Sequence, residues 1–329
     1  MFRTFFTLLL VMSLCPPAGA TTLKIATLAP DGSSWMQAMR AGAKEVEELT
    51  NGRVKLRFYP GGVMGNDKSV LRRIRIGQLQ GGALTGGGLA SIYPDSQIYS
   101  LPLLFRSDAE VAYVRKLMDP VFIEGLRGKG FVCLGFGGGG FAYLMSQVPL
   151  TRVEQVKQQK VWVPEGDEIS RRAMEALGVS PIQLPVTDVL TGLQTGLIDT
   201  IGTSPVGAIG LQWHTRVHYL TDTPLLYLFG TMVIQEKAFL RIDKEDQQHL
   251  TQVMMRVFER ISEQNQQDNE QARQALLDQG IQFVQPEAED MRAWRQLVGQ
   301  AVDEMAEQGV FSESVLQQVR ADLESFRKR

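Results

Sequence analysis

From Leu23 onward, short apolar strands alternate with amphipathic helices, and that alternation restricts the chain to α/β architectures. Residues 23–29 alternate as a strand, and Pro30-Asp31-Gly32-Ser33 supplies a turn with a helix-capping serine. Over residues 35–49, Met36, Met39, Ala43, Val46 and Leu49 recur at helical spacing, with Lys44, Glu45, Glu47 and Glu48 on the opposite face. Asn51-Gly52 stops that helix. Residues 53–59 then alternate again, Val54, Leu56 and Phe58 against Lys55 and Arg57. Strand, helix and strand in this order predict a right-handed crossover and a mostly parallel sheet.

The pattern recurs along the chain. Residues 68–76 read as a basic amphipathic helix, 81–85 as a strand, and Gly86-Gly87-Gly88 as a loop where backbone can approach a ligand closely. Residues 108–117 and 121–126 read as two helices, and 131–136 and 141–146 as two strands flanking four glycines. Strands at 161–164, 181–184 and 198–203 alternate with helices at 167–177 and 188–195. From Lys244 to about Gln279 there is no Pro or Gly, and Leu250, Val253, Met254, Val257, Phe258 and Ile261 form one apolar stripe. A helix of that length without sustained heptads fits a bridge between two domains better than a coiled coil. Helices at 286–308 and 312–326 close the chain.

Residues 1–20 differ from the rest. Arg3 is their only charge, an apolar run covers residues 5–14, and Pro16-Pro17 precedes Ala18-Gly19-Ala20. This is the signature of a secretory leader cleaved near Ala20, and the run is too short for a spanning helix, which needs roughly 20 apolar residues. Cys15 follows Leu14 rather than a small residue, which disfavours lipidation. Cleavage would leave Cys133 as the sole cysteine, in an apolar strand, and 33 basic against 36 acidic side chains. That balance favours neither nucleic acid nor an anionic membrane surface. The expectation is an exported, periplasmic protein, not embedded in the membrane.

Catalytic and cofactor chemistry find little support. Gly135-Phe136-Gly137-Gly138-Gly139-Gly140 satisfies a dinucleotide fingerprint formally, but the segment after it reads as strand, not as the helix that would meet a pyrophosphate. Gly202-Thr203-Ser204-Pro205-Val206-Gly207 is one residue too long for a nucleophile elbow. His214 and His218 stand four apart without a supporting acid or thiol cluster, so a metal is not expected. No enzyme activity and no cofactor are expected.

The motifs, in order, resemble the solute-binding proteins of TRAP (tripartite, ion-driven) transporters. The resemblance runs through residues 23–30, Thr50-Asn51-Gly52-Arg53-Val54, Tyr59-Pro60-Gly61-Gly62 and Leu101-Pro102-Leu103-Leu104-Phe105-Arg106. It is most specific at Val163-Pro164-Glu165, Ala176-Leu177-Gly178, Asp188-Val189-Leu190 and residues 193–199. It implies two α/β lobes of periplasmic-binding-protein type, joined by strands and a long shared helix, closing on a small-molecule solute and delivering it to TRAP membrane subunits. Lobe I is expected at 21–140 plus about 232–262. Lobe II is expected at 141–231 plus the C-terminal helices at about 263–329.

The resemblance also implies an arginine before Val163, placed to clamp a carboxylate. This chain has Trp162 there, Ala142 where a second cation is common, and Thr203-Ser204-Pro205 in place of an Asn-Pro pair. A carboxylate enclosed without a cation loses on the order of several kcal/mol to desolvation. The cleft is therefore expected to favour an apolar or weakly polar solute. Trp35, Gly87, Gly88, Tyr143, Trp162, Val186, Ser204, Trp213 and Phe229 are the candidate contacts. Trp213 and Phe229 fit core and cleft alike, whereas its place in the motif points Trp162 to the cleft. Two alternatives stay open: a carboxylate receptor using backbone and Ser/Thr donors, and an exported enzyme using the same cleft.

Overall fold

The computed structural model describes residues 20–329, so the leader readings at residues 1–19, including Cys15, lie outside the described residues. Lobe I begins with β1 (Thr21–Thr27), α1 (Ser34–Leu49), β2 (Val54–Tyr59), α2 (Asp67–Arg75), β3 (Gly81–Thr85) and α3 (Gly86–Ala90). Ser33 caps α1 by accepting from the Met36 amide, and Asn66 caps α2 by accepting from Ser69. β1 pairs in parallel with both β2 and β3, as the strand–helix–strand pattern predicts. Gly86–Gly88, expected as loop, forms the first turn of α3, with Thr85 as its cap.

Next come α4 (Asp108–Arg127) and β4 (Phe131–Ser146). The sequence pattern divides two helices near Pro120, yet α4 is continuous, because Val114, Met118, Phe122 and Leu126 bury one stripe along its whole length. The two strands expected on either side of the glycine run are likewise one strand of 16 residues. Lobe II follows with α5 (Val153–Val156), β5 (Trp162–Pro164), α6 (Glu168–Ala176), β6 (Ile182–Leu184), α7 (Val189–Thr195), β7 (Thr200–Thr203), α8 (Pro205–Gly210) and β8 (Tyr219–Thr221). The chain returns through β9 (Leu226–Gln235), α9 (Glu236–Phe239), α10 (Lys244–Asp278), β10 (Gln282–Val284), α11 (Ala288–Glu307) and α12 (Glu313–Arg327).

The main sheet runs β10-β8-β4-β9-β3-β1-β2, with β7 also on β4 and β5-β6 as a separate pair. It is mixed rather than mostly parallel. β9 runs antiparallel to β3 and β4, and β4 antiparallel to β7 and β8, because the strands that join the lobes run back and forth between them. β4 pairs with β9 through its first part and with β7 and β8 through its last. It therefore belongs to both lobes.

α10 bridges as expected. Its first turn is tied to lobe I by a bidentate Arg53–Asp246 pair at 2.7 and 2.8 Å, and Val257 nests against Gly42 of α1. Its far end packs Ala272 and Leu276 into lobe II, where Arg273 pairs with Asp222 at 2.8 Å. The C-terminal helices divide between the lobes instead of both joining lobe II. α11 packs on α6, but α12 lies on α4, where Arg327 pairs with the buried Glu110 at 2.7 Å. Glu110 attracts α12 because it is a buried carboxylate that needs a charged partner.

Two glycines make opposite predictions. A Cβ on Gly81 would collide with the Val233 carbonyl oxygen and come within 2.9 Å of Ile25 Cδ1, while one on Gly299 of α11 meets nothing within 4 Å. Gly81→Ala should destabilise the protein by roughly 1–3 kcal/mol, and Gly299→Ala should stabilise it by roughly 0.5–1 kcal/mol. Urea unfolding of both variants checks this; equal effects would rule out the close β3–β9 approach.

Candidate functional site

The loops that follow β2 and β3 in lobe I touch those that follow β5 and β6 in lobe II. Asn66 Nδ2 donates to Glu165 Oε2 across the gap at 2.9 Å. A Cβ on Gly62 would lie 3.1 Å from the Thr187 methyl, and one on Gly87 3.6 Å from Asp167 Cβ. The lobes thus meet at the carboxyl ends of their strands, the position where open α/β sheets take ligands.

Gly87 and Gly88 stand at this contact. Gly88 is packed so closely on Asp67 that any side chain there would collide with the carboxylate. Phe229 lies just beneath, its ring 2.6 Å from a Cβ on Gly86 and edge-on to Tyr99 at 5.6 Å. Val186 is half-buried in the loop that carries Thr187 to lobe I.

The other candidates are held elsewhere. The motif points Trp162 to the cleft, but its ring is 5% exposed, in a cluster with Val189, Leu193, Ile201 and Trp213. Its Nε1 donates to the Leu184 carbonyl at 3.0 Å, and its ring meets Trp213 edge-on at 5.2 Å. Both indoles fill the layer between lobe II's sheet and α7, because that space is apolar and a backbone carbonyl satisfies the one polar atom of Trp162. Tyr143 carries the Arg273 guanidinium over its ring at 5.1 Å, towards α10. Trp35 packs against the crossing strands, 2.8 Å from a Cβ on Gly137 and edge-on to Phe258. Ser204 is buried and caps α8, accepting from the Gly207 amide. Lys160 donates to the Gly196 carbonyl at the opposite end of β5.

Sequence reasoning passed over the acids at the contact, Asp67 and Asp167, because both read as ordinary helix-start residues. Asp167 does cap α6, bonded to the Ser170 amide (3.0 Å) and hydroxyl (2.7 Å), and burial raises its pKa. Asp67 is 8% exposed. Its Oδ2 accepts from Thr85 Oγ1 at 2.6 Å and from the Thr85 amide at 3.2 Å, while Oδ1 is buried with no partner among the described residues. Burial outweighs those two bonds and pushes the carboxyl up to about 6.

A separate cavity of about 760 Å³ lies between α4 and α10, against Gly135, Phe136 and Gly140. The Arg115 guanidinium in its wall is already engaged by Asp119, Ser262 and the Phe136 carbonyl. Among the described residues there is no group of three His, Cys, Asp or Glu side chains placed to hold a metal ion, and no helix long and apolar enough to cross a membrane.

Two lobes meeting at their strand ends, joined by shared strands and one shared helix, make the two-lobe fold of the periplasmic-binding-protein type. The chain belongs to the DctP family, the bacterial extracellular solute-binding proteins of family 7, which it matches over residues 25–309. It is 28% identical over 185 residues to the uncharacterized protein YiiZ of Salmonella typhimurium, a match covering 55% of this chain and 56% of that one. It is 25% identical over 276 residues to the C4-dicarboxylate-binding periplasmic protein DctP of Rhodobacter capsulatus, covering 81% and 82% of the two chains. The fold superposes with a TM-score of 0.85 on a TRAP periplasmic solute-binding protein from Desulfovibrio salexigens with bound orotic acid, at 19% identity over 93% of this chain and 99% of that one. Family members are TRAP-type periplasmic receptors.

Two variants test the site. Trp162→Ala should cost about 3–5 kcal/mol of folding stability, as a core indole does, and strand the Leu184 carbonyl; a loss below about 1 kcal/mol in urea unfolding would return Trp162 to the cleft. Asp67 gives a pH signature. The folded carboxyl keeps its proton up to about pH 6, whereas the unfolded chain releases it near the ordinary value of 3.8. Folding therefore binds a proton between those values, and the contribution of Asp67 to stability falls as pH rises from 4 to 6 and stays low above. Asp67→Asn should gain on wild type across that window by on the order of 2–3 kcal/mol. Parallel pH profiles of the two proteins would refute this.

Proposed function

We propose that this protein is the solute-capturing receptor of a TRAP-type secondary transporter, working in the periplasm and delivering an apolar or weakly polar solute to membrane subunits, without enzyme activity of its own. The observation that carries the solute class is the absence of a cation at both positions where the resemblance implies one. Trp162 is a buried indole and Ala142 a buried methyl. The residues at the lobe contact are Gly62, Asn66, Gly87, Glu165, Asp167 and Thr187, with no Lys or Arg among them. An enclosed carboxylate would face acids there, and its lost hydration would go uncompensated.

The Rhodobacter capsulatus relative is named for C4-dicarboxylates, and the Desulfovibrio salexigens structure holds orotic acid. Those ligands favour a second reading, a carboxylate gripped by backbone amides and hydroxyls. Thermal unfolding separates the two. A ligand at 100 times its dissociation constant adds about 2.7 kcal/mol. Millimolar succinate or malate should leave the melting temperature unchanged, and a clear upward shift would establish the carboxylate reading instead.

A further inference from the structure

We propose that the groove between α11 and α12 is a second binding site, one for a phosphate group, separate from the cleft and independent of the solute the cleft takes. The groove encloses about 230 Å³, with the two helices as its sides and the Leu101–Leu104 segment closing it. It shares no residue with the contact between the lobes. Arg295 and Gly299 face it from α11, and Arg320, Leu323 and Arg327 from α12, at the spacings that set residues on one helix face. Three guanidinium groups therefore line one small space. Gly299 is the observation that points to a ligand. A glycine in a helix interior is less stable than an alanine there. A fold keeps one where the backbone turns left-handed or a neighbour comes too close. Neither applies to Gly299, which lies inside α11 without a positive φ and whose Cβ would meet nothing within 4 Å. What its bareness provides is open backbone on the groove wall, a turn away from Arg295.

The charges say which ligand fits. Arg327 spends Nε and Nη2 on Glu110 and the Leu104 carbonyl, and Arg320 spends Nη1 on Asp303 at 2.6 Å. Both side chains are thereby held in place with N–H groups left over, since a guanidinium carries more donors than these bonds use. Arg295 is exposed and bonded to nothing among the described residues. The carboxylate in the lining, Glu324, is answered by Lys328 at 3.6 Å. The groove thus offers fixed donors and surplus positive charge in a chain whose net charge is −2. Guanidinium groups grip oxyanions through paired N–H donors, which makes arginine the residue of phosphate recognition. Donors reach this space from both helices, so a tetrahedral ion with oxygens on every side engages more of them than a flat carboxylate does. The phosphate group can come as the free ion or as the headgroup of a membrane lipid, because both present the same oxygens.

The experiment uses the full chain beside two variants. Arg295→Gln removes the unpaired cation, and Gly299→Leu fills the bare stretch of wall. Neither position holds a folding contact, so urea midpoints no lower than wild type are expected of both, and a loss of binding is then not a loss of structure. Equilibrium dialysis in phosphate-free, low-salt buffer measures inorganic phosphate, and sedimentation measures vesicles of phosphatidylglycerol. Wild type should bind a single phosphate or sediment with the vesicles, and both variants should bind roughly tenfold more weakly or worse. A variant-sensitive signal in dialysis assigns the groove to the free ion, and one in sedimentation alone assigns it to the lipid headgroup. Binding of neither probe by wild type overturns the proposal, as does equal binding by wild type and both variants. Full binding by Gly299→Leu with loss in Arg295→Gln moves the site out of the groove and also counts against it. Displacement of bound phosphate by equimolar succinate overturns the preference for a tetrahedral ion. Each of these failures leaves the receptor reading standing, because the groove and the cleft have no residue in common.

Discussion

The lobes of this protein are held together by the pairing of β4 with β9, and the rest of the architecture depends on it. β4 gives its first part to lobe I and its last to lobe II, with register shifts between Cys133 and Phe136 and between Gly138 and Gly140. Around those shifts the strand is nearly bare of side chains. That bareness lets Phe258 and Ile261 of α10 and the indole of Trp35 rest directly on the backbone of Gly137. A methyl group at Gly138 would run into the Tyr227 hydroxyl, and one at Gly140 into Asn269. Interiors this closely packed accommodate added atoms poorly. The glycine run is thus a surface shaped for a helix, and α10 can bridge the lobes because that surface admits it.

Asn269 extends the same arrangement into lobe II. Its Nδ2 donates to the Asn265 carbonyl, and its Oδ1 accepts from the Val206 amide in the first turn of α8. A helix-start amide that has no partner within its own helix finds one on the bridging helix. Trp35 reaches that helix from lobe I by meeting Phe258 edge-on. Both lobes are therefore fastened to the same helix.

Much of the fold was legible because its elements carry strong local patterns. The stripe from Leu250 to Ile261 and the capped helix after Ser33 could be read residue by residue. β9 could not, because Leu226–Gln235 is apolar on both faces and has no alternation to betray a strand buried between two others. The joining of two strands into β4 was hidden by glycines that usually mark loops. Gly87 and Gly88, singled out through their composition, stand where the lobes touch. Trp162 lies away from the cleft because a position in a motif says where a backbone goes, not which way a side chain turns. The indole found an apolar layer and a carbonyl partner within its own lobe. Asp67 and Asp167 were invisible for the opposite reason. The helix-start role each one suggests is a sufficient account of an acid at that place in a sequence, and only three-dimensional packing shows that one of them has an oxygen to spare.

The seating of α12 on α4 has a consequence for how the chain is made. Glu110 is buried early in the sequence, yet the guanidinium that neutralises it belongs to Arg327. Asp95 likewise accepts from the Ser312 amide, 217 residues downstream. Part of the first lobe's charge pairing is thus supplied by a segment that leaves the ribosome long after the lobe's own strands. Without that segment Glu110 keeps the Arg106 amide as a partner but lacks the Arg327 guanidinium. The first lobe's polar pairing is therefore complete only when the last helix is in place.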